Sequence, residues 1–361
     1  MKVLITAPSL DVKKNVSGIS SVVNIIINNN TEAEYIHFLS GKADEEGSGV
    51  KRIMPLVKSY TSLFNLSKRN GYDVLHLNLA LNTKSLLRDY LIFKIARHFK
   101  KPVVTHLHGG KYLTEKPQSR FINNIINNVL KRSDQIVVLS ELEKDLVKQQ
   151  YCGEQITPLP NTVEDIYLQT TITGKSQTTR FFFLGRLNES KGVEFLLKAF
   201  NQLTASGANA VLNICGTGPL ENVVDESVKQ NQRISFHGIV FGPNKLAHIA
   251  ANDIFVLPSI HGEGLPVALL ECMAVGLVPI TTTDGSMGRV VIDGENGLIV
   301  PKYDQAALYN QMKLLCDKPE LLSELSAGAK TYIKENFNII SYINKLNNIY
   351  KEAVQSYKSP L

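Results

Sequence analysis

Apolar and polar positions alternate along this chain between two spacings. Short apolar runs at residues 2–7, 35–38, 73–78, 102–106, 135–139 and 155–159 read as buried strands. Between them, residues 17–28, 83–99, 115–131 and 141–150 repeat their apolar positions at helical spacing. Such alternation predicts a parallel sheet covered by helices on both faces, with ligand sites at the carboxyl ends of its strands. The pattern lapses over residues 162–179, TVEDIYLQTTITGKSQTT, whose Thr and Ser content reads as an interdomain linker. It resumes with strands at 180–184, 211–215, 234–236, 253–257, 278–281 and 297–300, a second Rossmann-like unit. Beyond Asp304 only helices are expected, one of them from about 339 to 355.

The second unit contains the most informative stretch, residues 257–276, LPSIHGEGLPVALLECMAVG. An apolar strand breaks at Pro258 and passes through a loop bracketed by Gly262 and Gly264. Pro266 suits the first turn of the following helix, and Gly276 suits its end. Leu265, Val267, Leu269, Leu270, Met273 and Val275 leave that helix apolar on nearly all sides, so Glu271 should be buried and must meet something polar. A structural partner, an arginine or a helix N-terminus, is one solution. The second carboxylate, Glu263 in the glycine loop, suggests another. Two carboxylates eight positions apart, at ~1.5 Å per residue, span about 12 Å across a helix N-terminus that favours an anion such as a diphosphate. Carboxylates are good acceptors for vicinal diols.

This stretch resembles the GT-B glycosyltransferases of family 4, whose E-x7-E motif stands here as Glu263 and Glu271. The resemblance implies an α/β fold of two Rossmann-like domains facing across a cleft. The first would be residues 1–165, an acceptor domain rejoined by the last helix at about 339–361. The second would be residues 166–338 and would bind the nucleotide-sugar donor. The motif G-R-x-x-x-x-K-G, Gly185-Arg186 to Lys191-Gly192, follows the strand FFFL and would neutralise the donor's diphosphate through Arg186 and Lys191. Without the resemblance this turn reads first as a solvated loop, since Arg and Lys are common beside turns. Gly216-Thr217-Gly218-Pro219 matches an element that shapes the nucleotide cleft, although a lone G-x-G is a weak signal. The segment of residues 236–240 matches one whose backbone, at Ile239, contacts the base; His237 there reads as well as a packing residue.

The resemblance further implies that Glu271 holds the ribose hydroxyls and Glu263 those of the sugar. Amides near Leu265 and Val267, in the stretch Gly264-Leu265-Pro266-Val267, would hold the diphosphate. In the first domain it keeps one of two usual glycines, Gly18, and puts His108, not His106, toward the transferred sugar. Ser140 and Asn161 match cleft-lining positions and are equally ordinary caps. Gly288 and Arg289 stand where the family often has Pro and Glu, which leaves the donor sugar open. The implied activity is that of a retaining, metal-independent hexosyltransferase. It would need no cofactor beyond its nucleotide-diphosphate sugar, and its acceptor would be a glycan or lipid-linked chain of bacterial-type cell-surface polysaccharide. No D-x-D metal motif occurs. A nucleotide-sugar 2-epimerase of the same fold and a non-catalytic nucleotide-sugar-binding protein remain as alternatives.

Composition adds to this picture. A chain of 361 residues exceeds what one core usually organises, in keeping with two domains. Cys152, Cys215, Cys272 and Cys316 are scattered with no C-x-x-C pair, which reads as reduced cytoplasmic thiols. No apolar run approaches a membrane span, and MKVLITAP begins as a strand, so no presequence is expected. The net charge of +6 is uneven: residues 1–160 carry 22 Lys and Arg against 14 Asp and Glu. Residues 90–101 and 121–132 mix apolar and basic positions. This suggests either helices facing their own sheet or a peripheral enzyme on the anionic inner face of the cell membrane. Nothing points to nucleic acid.

Overall fold

The computed structural model describes residues 1–12, 15, 17–41, 53–174 and 177–358. Two compact units make up the chain, residues 1–161 with 340–361, and residues 162–339. The first holds β1 (Lys2–Ala7), α1 (Gly18–Asn29), β2 (Glu34–Leu39), α2 (Ile53–Lys68), β3 (Val74–Leu79) and α3 (Thr83–His98). Then come β4 (Val103–Leu107), α4 (Lys111–Thr114), α5 (Arg120–Lys131), β5 (Gln135–Val138), α6 (Glu141–Gln150) and β6 (Ile156–Pro158). The second runs α7 (Asp165–Gln169), β7 (Thr179–Leu184), α8 (Val193–Ala205), β8 (Ala210–Cys215), α9 (Glu221–Gln230), β9 (Ile234–Phe236) and α10 (Gly242–Ala250). It continues through β10 (Ile254–Leu257), α11 (Val267–Val275), β11 (Val278–Thr281), β12 (Leu298–Ile299), α12 (Gln305–Asp317) and α13 (Pro319–Asn336). The last helix, α14 (Ile339–Lys358), belongs to the first unit from Ile340 onward.

Each unit has one six-stranded sheet, ordered β2-β1-β3-β4-β5-β6 and β12-β11-β10-β7-β8-β9, and the paired strands are parallel. Sheets covered on both faces need strands that are largely apolar, and β3, β4, β5, β10 and β11 are buried at every residue. In the first unit α14 buries Leu346, Tyr350 and Ala353 and ties Asn347 to Asn30 by a side-chain hydrogen bond of 2.8 Å.

The elements depart from the sequence reading in three places. The stretch expected as a linker folds in part as α7, whose Tyr167 is buried against α11. The helix expected over 115–131 begins only at Arg120, since Pro117 interrupts it and Ser119 caps the new start. Helix α2 is absent from the sequence reading, although Ile53, Leu56, Val57, Tyr60 and Leu63 stand at helical spacing. The last three residues of the expected C-terminal helix, and residues 175–176 of the expected linker, lie outside the described residues.

Candidate donor site

Helix α11 is the centre of the second unit's candidate site. Eight of its nine residues are buried, it starts behind Pro266, and Gly276 ends it at φ 108, donating its N–H to the carbonyls of Cys272 and Met273. Only residues 267–275 are helical, so the eight-residue interval from Glu263 to Glu271 is loop for its first half, not a uniform helical ruler.

Both carboxylates are buried, Glu263 at 7% and Glu271 at 3% exposure, and each is met by its own lysine. Lys191 Nζ lies 2.5 Å from Glu263 Oε1, and Lys245 Nζ lies 2.6 Å from Glu271 Oε1. The polar partner demanded by Glu271 is therefore neither an arginine nor a helix N-terminus. It is a lysine on α10, with the buried Tyr167 hydroxyl bonded to the same pair. Burial works against the charge on Lys245, but Glu271 and Tyr167 outweigh it and raise its pKa. Burial and the Glu271 carboxylate push the Tyr167 phenol up as well. One sequence signal could have found this pair: Lys245 is the only Lys or Arg between Arg233 and Arg289.

The loop carrying Glu263 is fixed from three sides. Ser259 Oγ donates to Glu263 Oε1 at 2.5 Å, the Glu263 N–H donates to Asp284 Oδ2 at 2.8 Å, and Lys302 Nζ holds Asp284 Oδ1 at 2.5 Å. Gly285, at φ 57, lets the turn after β11 close on this loop: a side chain there would run into the carbonyls of Glu263 and Gly264. Ser259, Asp284 and Lys302 gave no sequence signal, because their roles depend on two strand ends lying side by side.

Lys191 is placed by a different turn. Asn188 caps the short 3-10 turn Glu189–Lys191, its side chain accepting from the Lys191 N–H at 3.2 Å. Gly192 then takes the left-handed conformation, φ 69, against the Pro258 carbonyl, where a Cβ would not fit. The Ile260 N–H donates to Ser190 O at 2.8 Å, which joins this turn to the Glu263 loop. Arg186, at the end of β7, is exposed, whereas Leu187 beside it is fully buried. Gly185 and Leu187 donate their N–H groups to Cys215 and Thr217 carbonyls at 3.1 and 2.9 Å. Gly216 and Gly218 permit that contact, since a side chain at either would strike the backbone of Gly185 or Leu187. The structure thus gives these two glycines a role in seating the Arg186 turn. Ile239 and Phe241 stay 40% and 37% exposed in the loop leading to α10. His237 Nε2 lies 2.9 Å from Asn213 Oδ1, and Arg289 is exposed.

In the first unit His108 belongs to a stack of three histidines. His76 Nε2 lies 3.2 Å from His106 Nδ1, and the His106 and His108 ring centroids are 4.2 Å apart. Burial pulls His76 and His108 down to about 3 and His106 well below its ordinary value, so all three are neutral near pH 7. The Asn78 amide nitrogen donates to Thr6 O at 2.8 Å, so its Oδ1, 2.6 Å from His108 Nε2, accepts a hydrogen bond from that nitrogen. His108 is left with Nδ1 as an acceptor. Gly18 opens α1 with no heavy atom within 4 Å of where a Cβ would stand. Ser140 caps α6, accepting from the Glu143 N–H at 3.2 Å, and Asn161 is buried.

The apolar faces proposed for a membrane are mostly internal. Ile122, Ile125, Ile126, Val129 and Leu130 of α5, and Ile92 of α3, are buried in the first unit's core. Two of the basic residues are consumed as well: Arg97 pairs with Asp134 at 2.8 Å, and Lys101 is buried with its Nζ on the Tyr72 carbonyl at 2.7 Å. Among the described residues no group of three or more His, Cys, Asp or Glu is placed to hold a metal, and no helix is long and apolar enough to cross a membrane.

Comparison with known proteins follows the same division. The family profile described as Glycosyl transferases group 1 matches residues 178–318, and the one described as Glycosyltransferase Family 4 matches residues 43–165. An uncharacterized glycosyltransferase of Methanocaldococcus jannaschii is 26% identical over 82% of this chain and 79% of its own length. The Escherichia coli UDP-Gal:alpha-D-GlcNAc-diphosphoundecaprenol alpha-1,3-galactosyltransferase is 25% identical over 82% of this chain and 80% of its own. The structure of HepE from Anabaena, in complex with UDP-glucose, superposes with a TM-score of 0.76 at 16% identity, covering 97% of this chain and 99% of that one. With two parallel six-stranded sheets and both profiles in register with the two units, the chain belongs to the GT-B glycosyltransferases of group 1, family 4.

Proposed function

We propose that this chain is a retaining, metal-independent glycosyltransferase that moves a sugar from a nucleotide-diphosphate sugar to a glycan or lipid-linked acceptor in cell-surface polysaccharide synthesis. The observation that carries the reading is the pair of buried carboxylates around the N-terminus of α11, each neutralised by one lysine. Two bare carboxylates would repel a diphosphate. With Lys191 and Lys245 in place that repulsion is offset, and the cations Arg186 and Lys191 together with the N-terminus of the helix favour an anion. Glu271 then accepts from ribose hydroxyls, and Glu263 from those of the sugar.

In the reaction the bond between the anomeric carbon and the phosphate oxygen breaks. The acceptor oxygen bonds the same face of that carbon, and its proton passes to the leaving phosphate. Charge grows on the diphosphate, where the fixed cations Arg186 and Lys191 stabilise it without reorganising. Nothing in the site calls for a protein nucleophile. In the first unit, His108 with Nδ1 as an acceptor suits a sugar hydroxyl. The names of relatives favour a surface-glycan acceptor, since the E. coli protein is named for a diphosphoundecaprenol substrate.

The test is a panel of UDP-, GDP- and ADP-sugars incubated with the protein in EDTA, with and without lipid-linked acceptors. Release of one nucleoside diphosphate and growth of an α-linked product are expected. Turnover only with added divalent metal, an inverted linkage, or an epimerised donor without any acceptor would each overturn the reading.

A further inference from the structure

In the proposed site Lys245 has been given no task beyond neutralising Glu271. Its position on α10 is not required by the fold of that helix, whose buried residues are Ile249 and Ala250. It nevertheless reaches Glu271 at 2.6 Å and lies 5.4 Å above the Tyr167 ring. A lysine acting only as counter-ion to a buried carboxylate has no reason to stay open, yet the pair is asymmetric: the Lys245 side chain keeps 21% exposure and that of Glu271 only 4%. An ammonium has three protons. One goes to Glu271 and one to the Tyr167 hydroxyl, which leaves a donor beside a carboxylate that is the acceptor. A vicinal diol matches that arrangement, because each hydroxyl both donates and accepts. The exposed Ile239 and Phe241 precede Lys245 in the same loop and helix start, apolar neighbours suited to the flat base carried by a ribose.

We propose that Lys245 is a specificity-determining residue at the nucleoside end of the site: with Glu271 and Tyr167 it reads the 2′,3′-diol and so separates a ribonucleotide from its deoxy counterpart. This rests on the reading of Glu271 as a ribose contact given above. The pair also presents no net negative charge, so the diol is read without repelling the diphosphate attached to the same sugar.

The experiment is calorimetric titration of the full chain with UDP and GDP and with their 2′-deoxy counterparts. The wild-type chain should prefer the ribonucleotide by about tenfold or more, the range expected for a charged hydrogen bond. Lys245→Met should lose affinity for the ribonucleotide alone and bring the ratio close to one. If that variant does not melt cooperatively, Lys245→Gln, which keeps a neutral donor beside Glu271, is measured in its place and should reduce the ratio. A ratio unchanged in the Lys245 variants but abolished in Glu271→Gln would make Lys245 a structural counter-ion only and overturn the proposal. Equal losses toward ribo and deoxy ligands would overturn it too. If no nucleoside diphosphate binds the wild-type chain, the donor-site reading itself falls, and that outcome is distinct from both others.

Discussion

At the scale of single residues, the two cations of the G-R-x-x-x-x-K-G element differ in a way their shared motif conceals. Arg186 is exposed, whereas Lys191 is bound to a carboxylate whose side chain is only 5% exposed. Arg186→Ala should therefore lower turnover while leaving the melting temperature nearly unchanged. Lys191→Ala should lower both, because Glu263 then stays buried beside Ser259 without its cation, and a stranded buried charge is costly. Steady-state kinetics beside thermal melting separates the two; equal melting behaviour would contradict the ion pair. This contrast also marks what was legible. Glu263, Glu271, Arg186 and Lys191 are close in sequence to glycines and strand ends, where local pattern has meaning. Lys245 is 26 positions from Glu271 on another helix, and only the need of a buried carboxylate for a cation pointed to it.

At the scale of elements, the site is made by turns that follow adjacent strands and press against one another. Gly285 is the tightest case, with φ 57 and the carbonyls of Glu263 and Gly264 where a Cβ would stand. Gly285→Ala should cost about 1–3 kcal/mol from backbone strain alone. It should also push the Glu263 loop away from Asp284, so melting should drop by several degrees and activity by more than melting explains. A variant with normal melting and turnover would show that the loop contact is dispensable. Strands were readable because a parallel strand buried on both faces is largely apolar, wholly so in β10 and in β3 apart from His76 and Asn78. Helix α7 was not, since five residues in a Thr-rich run are too few for periodicity, and it is Tyr167 packing on α11 that holds them. The apolar stripe of α5 was legible but its direction was not: the same periodicity serves a bilayer or a sheet, and here the sheet takes it.

At the scale of the whole molecule, the buried histidines set a pH dependence. His76 and His106 are fully buried, and their pKa values are depressed from 6.5, His76 to about 3. The unfolded chain binds those protons first, so stability is complete above pH 6.5 and is lost as pH falls toward 3. Each histidine contributes a slope of at most about 1.4 kcal/mol per pH unit in that window. Melting temperatures should fall from pH 7 to 5, and the fall should be shallower in His106→Leu; an equal fall in both would contradict the account. The basic surplus of the first 160 residues belongs to this scale too. Phe64, Leu87, Leu91 and Phe121 remain exposed at 43% or more, with Lys84 and Lys94 exposed on α3. Docking on an anionic bilayer, the membrane part of the sequence reading, predicts sedimentation with anionic vesicles at low salt and release at moderate salt. Protein left in the supernatant with anionic and neutral vesicles alike would remove that part and leave the donor site untouched.

The central claim is that Glu271, on its buried helix and held by Lys245, receives the ribose of a nucleotide-diphosphate sugar without a metal. The most direct measurement is calorimetric titration of wild-type chain and Glu271→Gln with the UDP-, GDP- and ADP-sugar panel in EDTA, with melting recorded beside it. Loss of a charged hydrogen bond of about 1.5–3 kcal/mol predicts binding of one donor class by the wild-type chain and a roughly ten- to hundredfold weaker affinity in the folded variant. Binding that requires added divalent metal, or an affinity unchanged in folded Glu271→Gln, would contradict it.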